Sequence, residues 1–301
     1  MINIIITSFN EPKATLRAVN VFLSQKISQK FKVIVVDPFP EVGRFLKKEI
    51  KDERFVFFLD PGEGKSCALN LLFQEFYSND KNDIFILTDG DVYVSQNAVF
   101  ELLTAFKNPK IGCVTGKPVP LEDRKTKYGY WANFLFDAAH KLRKKLSEKK
   151  VFFECSGYLF AIRNGVIKGF PGDVSEDSII PHLFWKKGFE IFYAEKAEVY
   201  VKNPDNWNDW KNQKIRNIKG HENLSKIAPE LPRTKTFFNE VKNGLFVFFA
   251  HPKNCKELFW LAQLYFARLY IYLVAFKEIK KNKEYSDGWR EVEIKSTKPL
   301  D

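Results

Sequence analysis

The feature that most restricts the fold of this chain is a series of short, nearly all-apolar segments that each end at a polar or acidic residue. Ile2 to Thr7, Lys32 to Asp37, Arg54 to Leu59, Asp83 to Thr88 and Lys110 to Thr115 are rich in β-branched and aromatic side chains and are too short for helices. Between them the apolar residues take helical spacing: Leu69, Leu72, Phe73 and Phe76 after Lys65, then Val99, Leu102, Leu103 and Phe106 between Ser95 and Lys107. Strands that alternate with helices and lack a polar face belong to a mostly parallel sheet covered by helices, so the expected class is α/β. In such sheets ligands bind at the carboxyl ends of the strands. Those ends carry Ser8-Phe9-Asn10-Glu11, Asp37, Asp60 and Asp89-Gly90-Asp91, so three of the four present an aspartate carboxylate at or directly after the last residue of the strand.

A chain of 301 residues that is 45% hydrophobic and 28% charged, with 15 glycines and 14 prolines, has ample material for a core and excludes disordered, collagen-like and low-complexity classes. The net charge of +11 favours anionic partners without choosing among phosphates, anionic lipid and nucleic acid. Cys67, Cys113, Cys155 and Cys255 are widely spaced and form no zinc-ligand pattern, which suits a reducing, cytoplasmic setting. The N-terminal run reads as a buried strand rather than a signal peptide. His140, His182, His221 and His251 form no recognisable pair or triad and read as structural.

Lys141 to Lys150, KLRKKLSEKK, reads as a solvated helix face. Leu258 to Phe276 is almost wholly apolar or aromatic, interrupted by Gln263 and Arg268, with Trp260, Tyr265, Tyr270 and Tyr272 within it. Lys253 and Lys256 precede it, and Lys277, Lys280, Lys281 and Lys283 follow. This pattern suits a helix at or in a membrane surface, where aromatic rings and lysines meet headgroups. It equally suits a helix buried in the protein or at a dimer contact, because length does not separate the two. Phe237 to Ala250 is a companion segment with the same two readings.

Four local patterns carry candidate chemistry. Asp89-Gly90-Asp91 sends two carboxylates out of a rigid strand, which suits a hard divalent cation bridging to a diphosphate; it is also an ordinary tight-turn sequence. Ser175-Glu176-Asp177-Ser178 reads as a helix start with Ser175 as N-cap, and offers Asp177 as a general base. Gly62-Glu63-Gly64-Lys65-Ser66 fails as a phosphate loop, since Leu59 stands where that motif needs glycine. It leaves Lys65 at a helix start, either exposed or meeting a phosphate. Gln213 and Arg216 lie three apart on one helical face, which is either solvated or holds a diphosphate or an acceptor. Trp207 and Trp210 just before them read as core or interface residues.

Taken in order, these pieces resemble the inverting family 2 glycosyltransferases of the GT-A fold. Ile5-Ile6-Thr7-Ser8-Phe9-Asn10-Glu11 is similar to the opening strand and turn of that family, and Asp37 to its nucleoside-side aspartate. Gly64-Lys65-Ser66-Cys67-Ala68-Leu69-Asn70 is similar to its Gly-Lys-x-x-Ala-Leu-Asn helix, and Asp89-Gly90-Asp91 to its metal-binding DXD. Phe153 to Arg163 resembles the acceptor-side strand, Glu176-Asp177 the catalytic pair, and Gln213-x-x-Arg216 the QxxRW element. The similarity runs from residue 2 to about 220.

The resemblance implies a GT-A catalytic domain over 1–225, with a mostly parallel central sheet flanked by helices. Residues 226–301 would form a C-terminal helical region that associates with membrane or packs on the protein. It implies a hexosyltransferase-type enzyme of polysaccharide biosynthesis, using a nucleotide-diphospho-sugar donor and a glycan or lipid-linked acceptor. Asp177 and Glu176 would be catalytic. Mg²⁺ or Mn²⁺ would be held by Asp91 and Asp89, and the donor by Thr7, Asn10, Glu11, Asp37, Asp60, Lys65, Asp89, Gln213 and Arg216. The cytoplasmic face of a membrane would be the site of action, with no nucleic-acid partner. Pro38, where many relatives carry a second aspartate, leaves the nucleotide open. Asn217, in place of the tryptophan of QxxRW, points to single-sugar transfer. A sugar-phosphate nucleotidylyltransferase and a non-catalytic anion- or membrane-binding module are the competing readings. The first expects a glycine-rich turn where this chain has Ser8 to Pro12.

Overall fold

The parallel part of the sheet is built around β1, Ile2–Thr7, whose six residues are all buried. The computed structural model describes residues 1–172, 174–230, 238–242 and 251–281. β2 (Phe31–Asp37) and β4 (Ile84–Asp89) pair parallel to β1 on its two sides, and β3 (Phe55–Leu59) extends the sheet beyond β2. β7 (Leu159–Arg163) runs antiparallel to β4, followed by β6 (Ile111–Pro120), β8 (Glu190–Val201) and the two-residue β5 (Tyr93–Val94). The strand order is β3-β2-β1-β4-β7-β6-β8-β5.

The continuous apolar runs follow from burial on both faces. Ile2, Ile4, Ile6, Val33 and Val35 point to one side. There they meet α1 (Pro12–Leu23), α2 (Pro40–Glu49) and α4 (Ala98–Ala105). Ile5, Ile34, Val36 and Phe85 point to the other side, against α3 (Lys65–Glu75) and α6 (Glu176–Lys186). This alternation between two cores is the period-2 geometry of a strand covered on both sides.

A third cluster joins α5 (Lys127–Glu148), α7 (Trp207–Ile227) and α8 (Cys255–Lys280) through Trp131, Phe134, Trp210, Ile218, Leu261, Leu264 and Ile271. Trp207 stacks on Trp210 at 5.8 Å, in keeping with a packing role. The Lys141–Lys150 stretch ends α5 with its lysines largely in solvent, as expected. α7 runs through residue 225, the boundary expected from the sequence. Of the expected companion segment, residues 238–242 are helical and the rest lies outside the described residues.

Two features of pairing build the candidate site. In the parallel register Thr7 sits opposite Asp89, so the ends of β1 and β4 are level. β7 enters antiparallel with Leu159 opposite Thr88, which brings the chain just before it, Cys155 to Tyr158, to the same sheet end. Thr88 Oγ1 donates to the Tyr158 carbonyl at 2.7 Å and fixes that approach.

Candidate active site

The side of the sheet end nearest β2 is organised by Asp37, which is fully buried. Asn10 adopts a left-handed φ of 54° that turns its N–H onto Asp37 Oδ2 at 3.0 Å, and Phe39 N–H donates to Oδ1 at 2.8 Å. Burial raises the Asp37 pKa above the usual carboxylate value, against the opposing pull of those donors and of the Ser8 hydroxyl. Asp60 ends β3 in a similar way, its Oδ1 accepting the Gly62 N–H at 2.6 Å. Both carboxylates thus shape the loops that follow their own strands. Glu11 is the N-cap residue of α1, and its carbonyl accepts from the Thr15 backbone and hydroxyl.

The middle of the sheet end is a charge network. Thr7 Oγ1 lies 3.0 Å from Asp89 Oδ1, to which it donates. Lys65, the first residue of α3, reaches the same oxygen at 2.7 Å and Glu176 Oε1 at 2.6 Å. The ammonium therefore bridges the end of β4 to the start of α6. Burial works against its charge, but Asp89 and Glu176 outweigh that effect and raise the Lys65 pKa. Gly90 is confined: a Cβ there would lie 3.0 Å from Thr15 Oγ1 and 3.4 Å from the Thr7 carbonyl, so this turn packs directly on β1 and α1.

The β7 approach completes the arrangement. Gly157 N–H donates to Asp177 Oδ2 at 3.2 Å, and Cys155 N–H donates to the Asp177 carbonyl at 3.0 Å. A Cβ on Gly157 would lie 3.5 Å from Glu176 Oε1 and 3.6 Å from Asp177 Oδ2, so both acidic groups face this glycine. The Tyr158 phenol has its pKa raised by burial first, then by Asp89, Asp91, Asp177 and Glu122. One hydroxyl thus feels the carboxylates of both acidic motifs, which come from residues 88 positions apart in the chain (177 − 89). Glu176 is buried and engaged by Lys65, whereas Asp177 is half-buried. This difference separates the adjacent acids: Lys65 neutralises Glu176, and Asp177 retains access to solvent.

Ser175 occupies the N-cap position of α6 as expected, but no side-chain capping hydrogen bond forms; its carbonyl accepts from Ser178 and Ile179. Behind this helix start, Ser178 Oγ donates to Glu154 Oε2 at 3.0 Å, and His221 Nδ1 lies 3.5 Å from the same oxygen. His221, read from sequence as structural, so ties α7 to the segment before β7. Gln213 and Arg216 both lie on α7, where Arg216 is exposed and Gln213 is half-buried. Gly157, Tyr158, Glu154 and His221 were not singled out by sequence as site residues. The only available signal was the Phe153-to-Arg163 pattern that contains three of them.

The chemistry of the donor set fits a divalent cation. Asp89 and Asp91, at and just after the end of β4, would offer hard oxygen ligands. Among the described residues no three His, Cys, Asp or Glu side chains gather to hold a metal by themselves. Such a site suits an ion that keeps water and substrate phosphate oxygens as its remaining ligands, as Mg²⁺ commonly does.

Comparison with known proteins bears on the fold and the family. The mannosyltransferase PcManGT from Pyrobaculum calidifontis, solved with GDP-Man and Mn²⁺, aligns with a TM-score of 0.65 at 16% identity, covering 94% of this chain and 88% of that one. TarS 1–349 from S. aureus, solved with UDP-GlcNAc, gives 0.50 at 13% identity over 99% and 98% of the two chains. GalNAc-T7, solved with UDP, GalNAc and Mn²⁺, gives 0.52 at 14% identity over 84% and 58%. At such identities these likenesses speak for the fold alone, a mixed α/β sheet of the GT-A type. No curated protein matches the sequence. The sequence model of one family, described as glycosyltransferase like family 2, matches residues 2–220, and the chain belongs to that family.

Proposed function

We propose that this protein is a metal-dependent, inverting hexosyltransferase. It moves one sugar from a nucleoside-diphosphate donor to a hydroxyl of a lipid-linked or surface glycan. The observation that carries the reading is the Lys65 bridge between Asp89 and Glu176, with Asp177 left half-open beside it.

In this reading the acceptor oxygen attacks the anomeric carbon as the anomeric carbon–oxygen bond to the diphosphate breaks. The bonding electrons leave with the diphosphate, and the configuration inverts. Asp177 takes the acceptor proton on its carboxylate, oriented by the Gly157 N–H on Oδ2. Glu176 is not the base, because the Lys65 ammonium holds its oxygen at 2.6 Å. Lys65, at the N-terminus of α3, would add positive charge beside the departing diphosphate while it holds Asp89 and Glu176. Thr7 holds Asp89 in place for the cation. A Mg²⁺ or Mn²⁺ ion held by Asp91 and Asp89 would act as a Lewis acid toward the diphosphate charge, a contribution of several kcal/mol. Asn10, Glu11, Asp37 and Asp60 line the nucleotide side, while Gln213 and Arg216 serve the acceptor side of α7.

The test is a binding screen of UDP-, GDP- and dTDP-sugars with and without Mn²⁺ or Mg²⁺, repeated on Asp91→Ala. One donor class should bind in a metal-dependent manner, and the substitution should weaken it by roughly tenfold or more. Donor binding that is equal with and without divalent cation, in both proteins, would overturn the metal assignment.

A further inference from the structure

We infer that α8 docks in the plane of an anionic lipid surface through one face, with its opposite face fixed to the protein. Glu257, Leu261, Leu264, Ala267, Arg268, Ile271, Tyr272 and Ala275 are buried, a stripe at helical spacing that rests on α5 and α7. The opposite stripe is apolar and open: Phe259 is 62% exposed, Phe266 75% and Leu273 62%, with Leu269, Tyr270 and Phe276 also exposed. Phe238, in the neighbouring helical segment whose Glu240 pairs with Arg268, is 83% exposed. From Leu258 to Phe276 the helix rises about 27 Å, and no charged side chain interrupts its open face over that length. A continuous apolar face of this kind marks an interaction surface.

The charges decide its occupant. The two buried charged groups of α8 are already matched. Glu257 forms a bidentate pair with Arg124 at 2.9 and 2.7 Å, and Arg268 pairs with Glu240 at 2.9 and 2.6 Å. A spanning arrangement would pull these groups into hydrocarbon, whereas a helix lying flat keeps them in the protein. Exposed lysines stand at both ends of the open face, Lys253 and Lys256 at one and Lys277, Lys280 and Lys281 at the other. Glu278 between them is taken by Lys219 at 2.5 Å. A second copy of this chain, in either orientation, would bring lysine against lysine, whereas anionic headgroups complement both ends. The inference stands independently of the proposed reaction.

The test is flotation of the full chain with phosphatidylcholine vesicles, with and without phosphatidylglycerol and in the absence of any sugar nucleotide. Binding should require the anionic lipid and weaken on raising salt. Phe266→Glu with Leu273→Glu should weaken it roughly tenfold or more, with the melting temperature and donor binding retained. Lys277→Glu, Lys280→Glu and Lys281→Glu together should weaken it by about a hundredfold, at about fivefold per lysine, and this variant carries the test if the first fails to fold. Two results would overturn the inference: binding of the folded variants equal to that of the native chain, or a native dimer, seen by light scattering, that the Phe266 and Leu273 substitutions dissociate.

Discussion

Replacing Lys65 with methionine keeps the length of the side chain and deletes its charge, leaving Asp89 and Glu176 facing each other without a cation. The two bonds lost are 2.7 and 2.6 Å long, and the three side chains are 21% (Lys65), 29% (Asp89) and 10% (Glu176) exposed. Removing one member of a buried pair costs about 3–5 kcal/mol, and the partial exposure of Asp89 favours the lower end, about 3 kcal/mol. Because the Lys65 pKa is raised, this contribution is fully present below the unfolded lysine value of about 10.5 and is lost only at more alkaline pH. Urea unfolding followed by tryptophan fluorescence, at neutral pH, reads the loss directly. The companion measurement is Lys65→Met in a Glu176→Gln background, where the isolated carboxylate is gone and the penalty should fall by more than half. A loss under about 1 kcal/mol for Lys65→Met, or an equal loss in the two backgrounds, would refute the bridging role.

The anchoring of α8 should be acid-sensitive. Burial, reinforced by Arg124, lowers the His251 pKa to about 4, so its contribution is present above pH 6.5 and is lost as pH falls toward 4. The shift from 6.5 corresponds to about 3 kcal/mol at most. Glu257, held at about 2 chiefly by its Arg124 hydrogen bonds, loses its contribution only below pH 4.5. His251→Gln should therefore flatten the stability profile between pH 6.5 and 4 while sparing the fall below it; an unchanged slope in urea midpoints would contradict this. For Asp91→Ala, isothermal titration of the bound donor should show the metal-dependent part of the affinity lost and the metal-independent part kept.

The architecture was legible where local pattern and tertiary role coincide. Strands buried on both faces leave continuous apolar runs, so β1, β2 and β4 could be read almost to the residue. The acidic strand ends were equally visible, because a parallel sheet makes that end the binding end. What sequence did not reveal depends on register and on long-range pairing. That Thr7 stands opposite Asp89 follows from strand alignment, and that Lys65 meets Glu176 requires α6 to return from 111 positions away (176 − 65). Lys65 was read as exposed or as a phosphate contact, and its carboxylate partners Asp89 and Glu176 had no local signal. Glu154 and His221 share no periodicity with each other, so their contact had no local signal. For α8, length and composition fitted both a membrane and a core, and the structure gives the helix one buried and one open face.

The central claim is that Asp177 alone removes the acceptor proton while its neighbours hold the donor. The decisive measurement is single-turnover sugar transfer by Asp177→Asn, alongside donor binding to the same protein. Transfer should fall by about 10²- to 10⁴-fold with donor affinity nearly unchanged. Transfer at the native rate would contradict the assignment outright.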